Sequence, residues 1–173
     1  MVRNVPTVRQ LRRSTRQRRL EHILTTFTSV EHLKQSKGAD LGRSRTIEVP
    51  QSRIDAFADV TEDRQWIHID RQRATAGPFG STIAHGFLTL SLAAPFLNDL
   101  LQVEGAAASI NYGLNRVRFP STVPADSRLH AQGRLIDIVE RPGAVDAIVE
   151  LSIYADDFAK PACIAESIIR FVS

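Results

Sequence analysis

From residue 27 onward the apolar positions of this chain follow two different periods. Ser29 to Lys37 reads as a helix that ends near Gly38, and Arg43 to Val49 reads as a strand. Pro50 stands where a helix begins, and Ile54, Phe57, Ala58 and Thr61 follow at helical spacing. Gln65 to Ser81 shows no period and carries a Gly77-Pro78-Phe79-Gly80 turn. His85 to Leu101 is apolar on nearly all sides, which predicts a buried helix. Pro95 inside it predicts a kink or break. Strand-like runs follow: Ala107 to Phe119, Arg128 to Glu140, Val145 to Tyr154 and Ala162 to Val172. Glu140-Arg141-Pro142-Gly143 suits a hairpin turn between two of them. One buried helix followed by long antiparallel strands implies an α+β fold in which a sheet wraps the helix. There are no internal repeats.

Composition narrows the class. The chain has 173 residues, enough for one domain with a sizeable core. Apolar residues make up 43% and charged residues 24%, as in ordinary globular proteins rather than disordered or membrane-spanning chains. No apolar run approaches the ~20 residues that span a bilayer. Cys163 is the only cysteine, so no internal disulfide can form and a reducing, cytoplasmic setting is expected.

The net charge of +3 is unevenly spread. Arg3, Arg9, Arg12, Arg13, Arg16, Arg18 and Arg19 all precede the first acidic residue, Glu21. Residues 1–26 thus form a basic extension, expected to be largely disordered and without a role of its own, and residues 27–173 form the domain. The domain itself has no basic excess, which argues against nucleic acid as a partner. A nucleic-acid contact and a transit peptide are the other readings of the extension.

The chemistry is concentrated between Phe57 and Leu92. Asp63 is followed five residues later by His68. His68 can exchange a proton near neutral pH, and Asp63 can hold an imidazole or a water by a charge-assisted hydrogen bond. Residues i and i+5 do not share a helix face, so the two must meet through an irregular Arg64-Gln65-Trp66 segment. Gly86 lacks a Cβ and opens the apolar helix, where its N–H would have no helical acceptor and could stabilise an oxyanion. Each feature has a plainer alternative: solvated polar residues for the pair, close packing for Gly86, capping or packing for His85. Grouping His68 with Asp70 and His85 around zinc has no Cys/His signature behind it, and no metal is expected.

Phe57, Val60, Thr61, Asp63, Ile67, His68 and Ala74 stand at the spacings of the hydratase 2 motif. Ile83-Ala84-His85-Gly86 is similar to the second block of that family, and Asn111 to Pro120 to the strand after its central helix. From about Phe27 to Ser173 the chain resembles the MaoC-like dehydratases, the (R)-specific enoyl-CoA hydratases, especially their mycobacterial-type and nodulation-protein-N-like branch. Three positions depart from the pattern: Glu62 for Gly, Gln65 for Asn and Trp66 for Pro. If the Gly serves a positive φ, Glu62 carries strain.

The resemblance implies a hotdog fold, a homodimer with the sheets joined edge to edge, and an acyl-CoA substrate bound at the dimer interface. It also implies reversible hydration of trans-2-enoyl-CoA to (R)-3-hydroxyacyl-CoA. In that scheme Asp63 and His68 hold the water, the Gly86 N–H holds the thioester oxygen, and Gln65 supports the pair. Coenzyme A arrives with the substrate, so no cofactor is expected. Asn111 and Tyr112 are candidates for the acyl channel, and Arg116 and Arg118 for the nucleotide phosphates, each with a structural role as the alternative. Two rival functions are a hotdog thioesterase, for which the central helix offers only Asp99, and a non-catalytic acyl-binding or dehydratase partner subunit.

Overall fold

The computed structural model describes residues 25–156 and 158–172. Four long strands form most of one antiparallel sheet: β5 (Ala108–Arg118), β6 (Ser127–Arg141), β7 (Ala144–Ala155) and β8 (Cys163–Val172). With β2 (Asp40–Arg43) the order is β2-β6-β7-β8-β5, and β3 (Ile47–Val49) also pairs with β6. Each long strand lies within two residues of its expected bounds. The β6–β7 hairpin turns at Pro142-Gly143, because Arg141 pairs with Ala144. Gly143 has φ 70°, a conformation open to glycine at little steric cost.

Strand alternation decides which face is buried. On β8, Cys163, Ala165, Ser167, Ile169 and Phe171 point inward, while Glu166 and Arg170 on the other face are half-exposed. Leu129, Ala131 and Leu135 of β6 and Val145, Ala147, Val149, Leu151 and Ile153 of β7 extend the same inner face. The helix that fills the sheet is two helices: α5 (Gly86–Ser91) and α6 (Ala93–Leu100), with Leu92 between them. Pro95 lacks the N–H that would bond to Ser91, so the break expected from it falls one turn earlier. Leu88, Phe96, Leu97 and Leu100 bury themselves against the sheet. Phe87 is the exception to the expected burial, at 70% exposed.

The remaining elements close the open end. β1 (Thr25–Phe27) pairs in parallel with β4 (Leu101–Val103). Thr25 and Thr26 therefore belong to the fold, two residues before the expected boundary; the rest of the basic extension lies outside the described residues. α1 (Val30–Lys34) starts at Ser29, whose hydroxyl accepts from the His32 N–H at 3.0 Å. The expected strand Arg43 to Val49 is divided, because the Ser44 hydroxyl accepts the Ala131 N–H at 2.9 Å and donates to the Arg45 carbonyl. α2 (Gln51–Thr61) follows Pro50 and buries Ile54 and Ala58. The segment expected to be irregular holds two short helices, α3 (Trp66–Ile69) and α4 (Arg71–Thr75). The whole is a sheet wrapped around a central helix, the hotdog arrangement.

Strand β5 forms one edge of this sheet. Among the described residues it pairs only with β8, and its residues are exposed apart from the half-buried Val117. Ile110, Tyr112 and Leu114 are large apolar side chains on that edge. Among the described residues, no helix is long and apolar enough to cross a membrane.

Candidate active site

The chain reverses direction after α2. Glu62 ends that helix with φ 62° and ψ 11°, in the left-handed region. A side chain there is strained, which explains why a glycine suits this position. The reversal carries Asp63 back toward the start of α5. Arg64 is folded onto α2 by an exposed ion pair with Asp59, at 3.0 Å. Asp63 and Gln65 are themselves exposed. Gln65 sits at the N-cap of α3, but its side chain makes no capping bond; its carbonyl accepts the His68 N–H at 2.9 Å. Trp66 packs beneath the Arg73 guanidinium, 4.3 Å from its ring, and against Gly77.

His68 is held from several sides. It is 6% exposed. Its Nδ1–H donates to the Ile83 carbonyl at 2.7 Å. A carbonyl only accepts, so Nδ1 carries the proton and Nε2 keeps its lone pair. Gln51, buried at the start of α2, donates to the His68 carbonyl at 2.7 Å and to Asp55 Oδ1 at 2.7 Å. The Thr82 hydroxyl donates to Gln51 Oε1. The Ile83 N–H returns to the Ile67 carbonyl at 3.0 Å. Burial, the largest influence, pushes the His68 pKa below its ordinary value. The Ile83 carbonyl raises it in part, His85 lowers it and Asp63 raises it.

His85 completes the cluster in a way its sequence position did not suggest. It precedes α5 but makes no side-chain cap. Its ring stacks on His68 with centroids 3.7 Å apart and packs against Phe57 at 5.0 Å. Its Nε2–H donates to the Asp63 carbonyl at 2.9 Å. One donor atom from each of Asp63, His68 and His85 lies within 4.8 Å of the others. Asp70, grouped with them on the sequence, instead caps α4 by accepting the Arg73 N–H at 2.9 Å. The cluster brings together the carboxylate and imidazole that proton transfer on a bound water requires.

His68 and Gly86 line one cavity of about 360 Å³, with Ile67, Ile83, Thr89 and Phe119. A Cβ on Gly86 would meet the Phe119 ring at 3.1 Å. The glycine thus serves close packing, and as the first residue of a helix its N–H has no acceptor in a preceding turn. A second, mostly apolar cavity of about 230 Å³ lies further along the same helices, between Leu90, Ala93, Ala94 and Leu97 and the β5 residues Asn111, Gly113 and Leu114. Asn111 is therefore at a cavity. Tyr112 lines neither of these two cavities: it is 57% exposed and stacks under Arg170, which binds the buried Asp146 at 2.6 Å. Arg116 is exposed, and Arg118 donates to the Val117 carbonyl at 2.7 Å. Asp99 faces Arg45 at 3.4 Å. Cys163 is buried, with its thiol pushed up to about 11 by desolvation, as in an inert packing residue.

Gln51, Thr82 and the positioning contacts of His85 were not apparent from the sequence. Gln51 opens a helix as an ordinary polar residue, and no local pattern marks its partner 17 residues away.

The family model for the MaoC like domain matches residues 32–151. The 3-hydroxyacyl-thioester dehydratase Z of Mycobacterium tuberculosis is 45% identical over 151 residues, covering 87% of this chain and all of that protein. Nodulation protein N of Rhizobium leguminosarum is 40% identical over 139 residues, covering 78% of this chain and 86% of that protein. Among solved structures, the R-hydratase PhaJ1 of Pseudomonas aeruginosa in its unliganded form superposes with a TM-score of 0.64 at 21% identity. That superposition covers 79% of this chain and 82% of the other.

Proposed function

We propose that this chain, which belongs to the MaoC-like domain family, is a hydro-lyase that reversibly hydrates trans-2-enoyl thioesters to (R)-3-hydroxyacyl thioesters. The observation that carries this reading is the meeting of Asp63 with His68, which lines a cavity and keeps its Nε2 lone pair. A (3R)-hydroxyacyl-CoA is the preferred product, as the resemblance to the (R)-specific hydratases implies.

The reaction follows from the groups present. A water held between the Asp63 carboxylate and His68 Nε2 loses a proton to the pair as its oxygen adds to the β-carbon. The pair returns one proton to the α-carbon, so one water is added and no charge remains. Burial favours neutral His68 and so keeps its lone pair ready as a base. Negative charge builds on the thioester oxygen as the enolate forms. Gly86 lines the same cavity, and its N–H is the donor assigned to that oxygen. Gln65 supports this geometry through its carbonyl, which accepts the His68 N–H. No cofactor or metal takes part, since the thioester itself makes the enolate accessible.

The 230 Å³ cavity beyond Gly86 suits the acyl chain, with Asn111 at its wall. Arg116 and Arg118 are exposed cations on β5 and are assigned to the nucleotide phosphates. Tyr112, exposed and stacked under Arg170 on the same edge strand, is assigned to the dimer interface. Two copies joined along β5 would cover Ile110, Tyr112 and Leu114 and pair the open edge, which otherwise invites uncontrolled association. A homodimer in the cytoplasm is the expected working form. The thioesterase alternative finds no support in Asp99, which faces Arg45.

The direct test is loss of the enoyl-thioester absorbance of crotonyl-CoA on adding purified protein, with the 3-hydroxy product resolved by chiral analysis. Steady turnover to the (R) product is expected. No turnover with short, medium or long enoyl thioesters rules the reading out. Light scattering should give twice the chain mass.

A further inference from the structure

We propose that His85 is a positioning residue for hydration: its imidazole ties the main chain of Asp63 to the ring of His68 and so sets the separation of the two groups that hold the water. The inference rests on the assignment of Asp63 and His68 as the reacting pair.

Three observations lead to it. The first is what holds Asp63. It follows a strained left-handed residue and its side chain is exposed. Among the described residues, the bond from His85 Nε2–H to its carbonyl is the one hydrogen bond that reaches it. Without that bond, the Asp63 main chain would be free to swing with the loop. The second is the ring contact. His85 lies flat on His68 at 3.7 Å, with Phe57 on it at 5.0 Å, so the imidazole cannot shift without moving one neighbour or the other.

The third observation concerns the atom that His85 leaves unsatisfied. Its Nδ1 is buried, and among the described residues it has no partner. A buried acceptor without a donor is unfavourable, and a phenyl ring would fill the same space without that penalty. If packing alone set this position, an apolar ring would serve better. What the imidazole adds is the N–H aimed at the Asp63 carbonyl. A residue only 2% exposed that keeps an unpaired nitrogen in order to make one outward bond is matched to that bond. The site thus has two independent clamps. Gln51 and the Ile83 carbonyl hold His68 to its own surroundings, and His85 joins His68 to Asp63. Small errors in such a separation matter, since displacements of about 1 Å can lower rates by about a hundredfold.

The test compares two substitutions. His85→Phe keeps the stacked ring and removes the donor. His85→Gln removes the ring and keeps an N–H at nearly the same reach. For crotonyl-CoA, His85→Phe should lower kcat by roughly 10- to 100-fold with KM within about twofold, and His85→Gln should keep kcat within roughly fivefold of the parent. Among the described residues, Asp63 and His85 are the titratable groups that act on His68. With His85 replaced, the His68 titration followed by NMR should move to higher pH in both variants, and the acid limb of kcat/KM with it. A plateau kcat near the parent's in His85→Phe overturns the proposal, as does an equal loss in the two variants. If His85→Phe does not fold, His85→Asn takes its place: it is polar but too short to reach the Asp63 carbonyl, and it should lose kcat as Phe would. The NMR titration does not depend on turnover. A protein inert toward every enoyl thioester therefore defeats the hydratase reading, while the His68 shift on replacing His85 still decides whether the two rings are coupled.

Discussion

The two halves of the proposed catalytic pair are built by opposite means. His68 is buried, its ring and its carbonyl each have a hydrogen-bond partner, and it sits between two segments that bond to each other. Asp63 is exposed, follows a strained residue, and among the described residues is reached by a single hydrogen bond to its main chain. The difference follows from what each must do. A base near neutral pH gains from desolvation, which keeps it uncharged. A carboxylate that must stay ionised gains from contact with water, and a water has to enter beside it. In the proposed reaction the rigid partner would define the place of reaction, and the exposed partner would give access to it.

The largest expected effects come from removing either half. Asp63→Asn and His68→Gln should each lower hydration by about 10²–10⁴-fold, the usual scale for lost proton transfer. Both proteins should keep the parent's circular dichroism spectrum. If either turned over crotonyl-CoA at a near-parental rate, the assignment of the pair would fail. The melting temperatures should differ in order: His68→Gln disturbs a buried ring stack, whereas Asp63→Asn changes an exposed side chain.

Next in size is the support behind His68. Gln51→Met keeps the volume but leaves the His68 carbonyl without its donor and the Thr82 hydroxyl without its acceptor. A buried group left unpaired costs about 1–3 kcal/mol. The melting temperature should fall by roughly 2–4 °C for each kcal/mol, and kcat should fall with it. The matching change on the other half is Arg64→Ala, which removes the exposed ion pair with Asp59. Such pairs contribute about 0–1 kcal/mol, so its melting temperature should barely move. Equal losses in the two variants would dissolve the contrast between a rigid and an open half.

The contrast also has a pH signature. Burial lowers the pKa of His68 below its ordinary value of 6.5 in the folded protein. The unfolded chain then binds the proton more readily than the folded one. Stability contributed by neutral His68 is complete above pH 6.5 and declines as pH is lowered through that value toward the folded pKa. Between those limits, the parent should lose melting temperature with acid faster than His68→Gln does. The acid limb of kcat/KM should lie below pH 6.5. Parallel melting curves for the two proteins would show that His68 is not depressed.

These tests bear on different layers of what the chain reveals. The strands β5 to β8 were readable because ten or more residues of alternation leave little freedom of register. The division at Ser44 was not, since it depends on a hydroxyl that takes a sheet bond from Ala131, 87 residues away. Helices of four and five residues, α3 and α4, are too short to show a period. Asp63 and His68 were visible through their spacing and the block around them. Gln51 was invisible and His85 read as cap or packing, because their roles are contacts between elements 17 and 22 residues apart rather than local patterns. The setting of Tyr112 was not readable for a related reason: on an edge strand its side depends on the irregularity between Asn111 and Gly113.

The smallest expected effect belongs to the strained residue before Asp63. Glu62 has φ 62°, where a side chain costs roughly 1–2 kcal/mol that glycine avoids. Glycine gives part of this back, because its unfolded chain is freer by about 0.5–1 kcal/mol. Glu62→Gly should therefore raise stability by under about 1 kcal/mol, a gain of up to about 2–4 °C in melting temperature. Glu62→Ala removes the same carboxylate but keeps the strain, so it should show no gain. The difference between Gly and Ala isolates the backbone contribution from the side chain's charge. Turnover should stay near the parent's in both, because the His85 bond still fixes the Asp63 carbonyl. Glycine and alanine variants of equal stability would show that the left-handed turn carries no strain. A drop in kcat for Glu62→Gly alone would show that the stiffness of this residue, and not only the His85 bond, holds Asp63 in place.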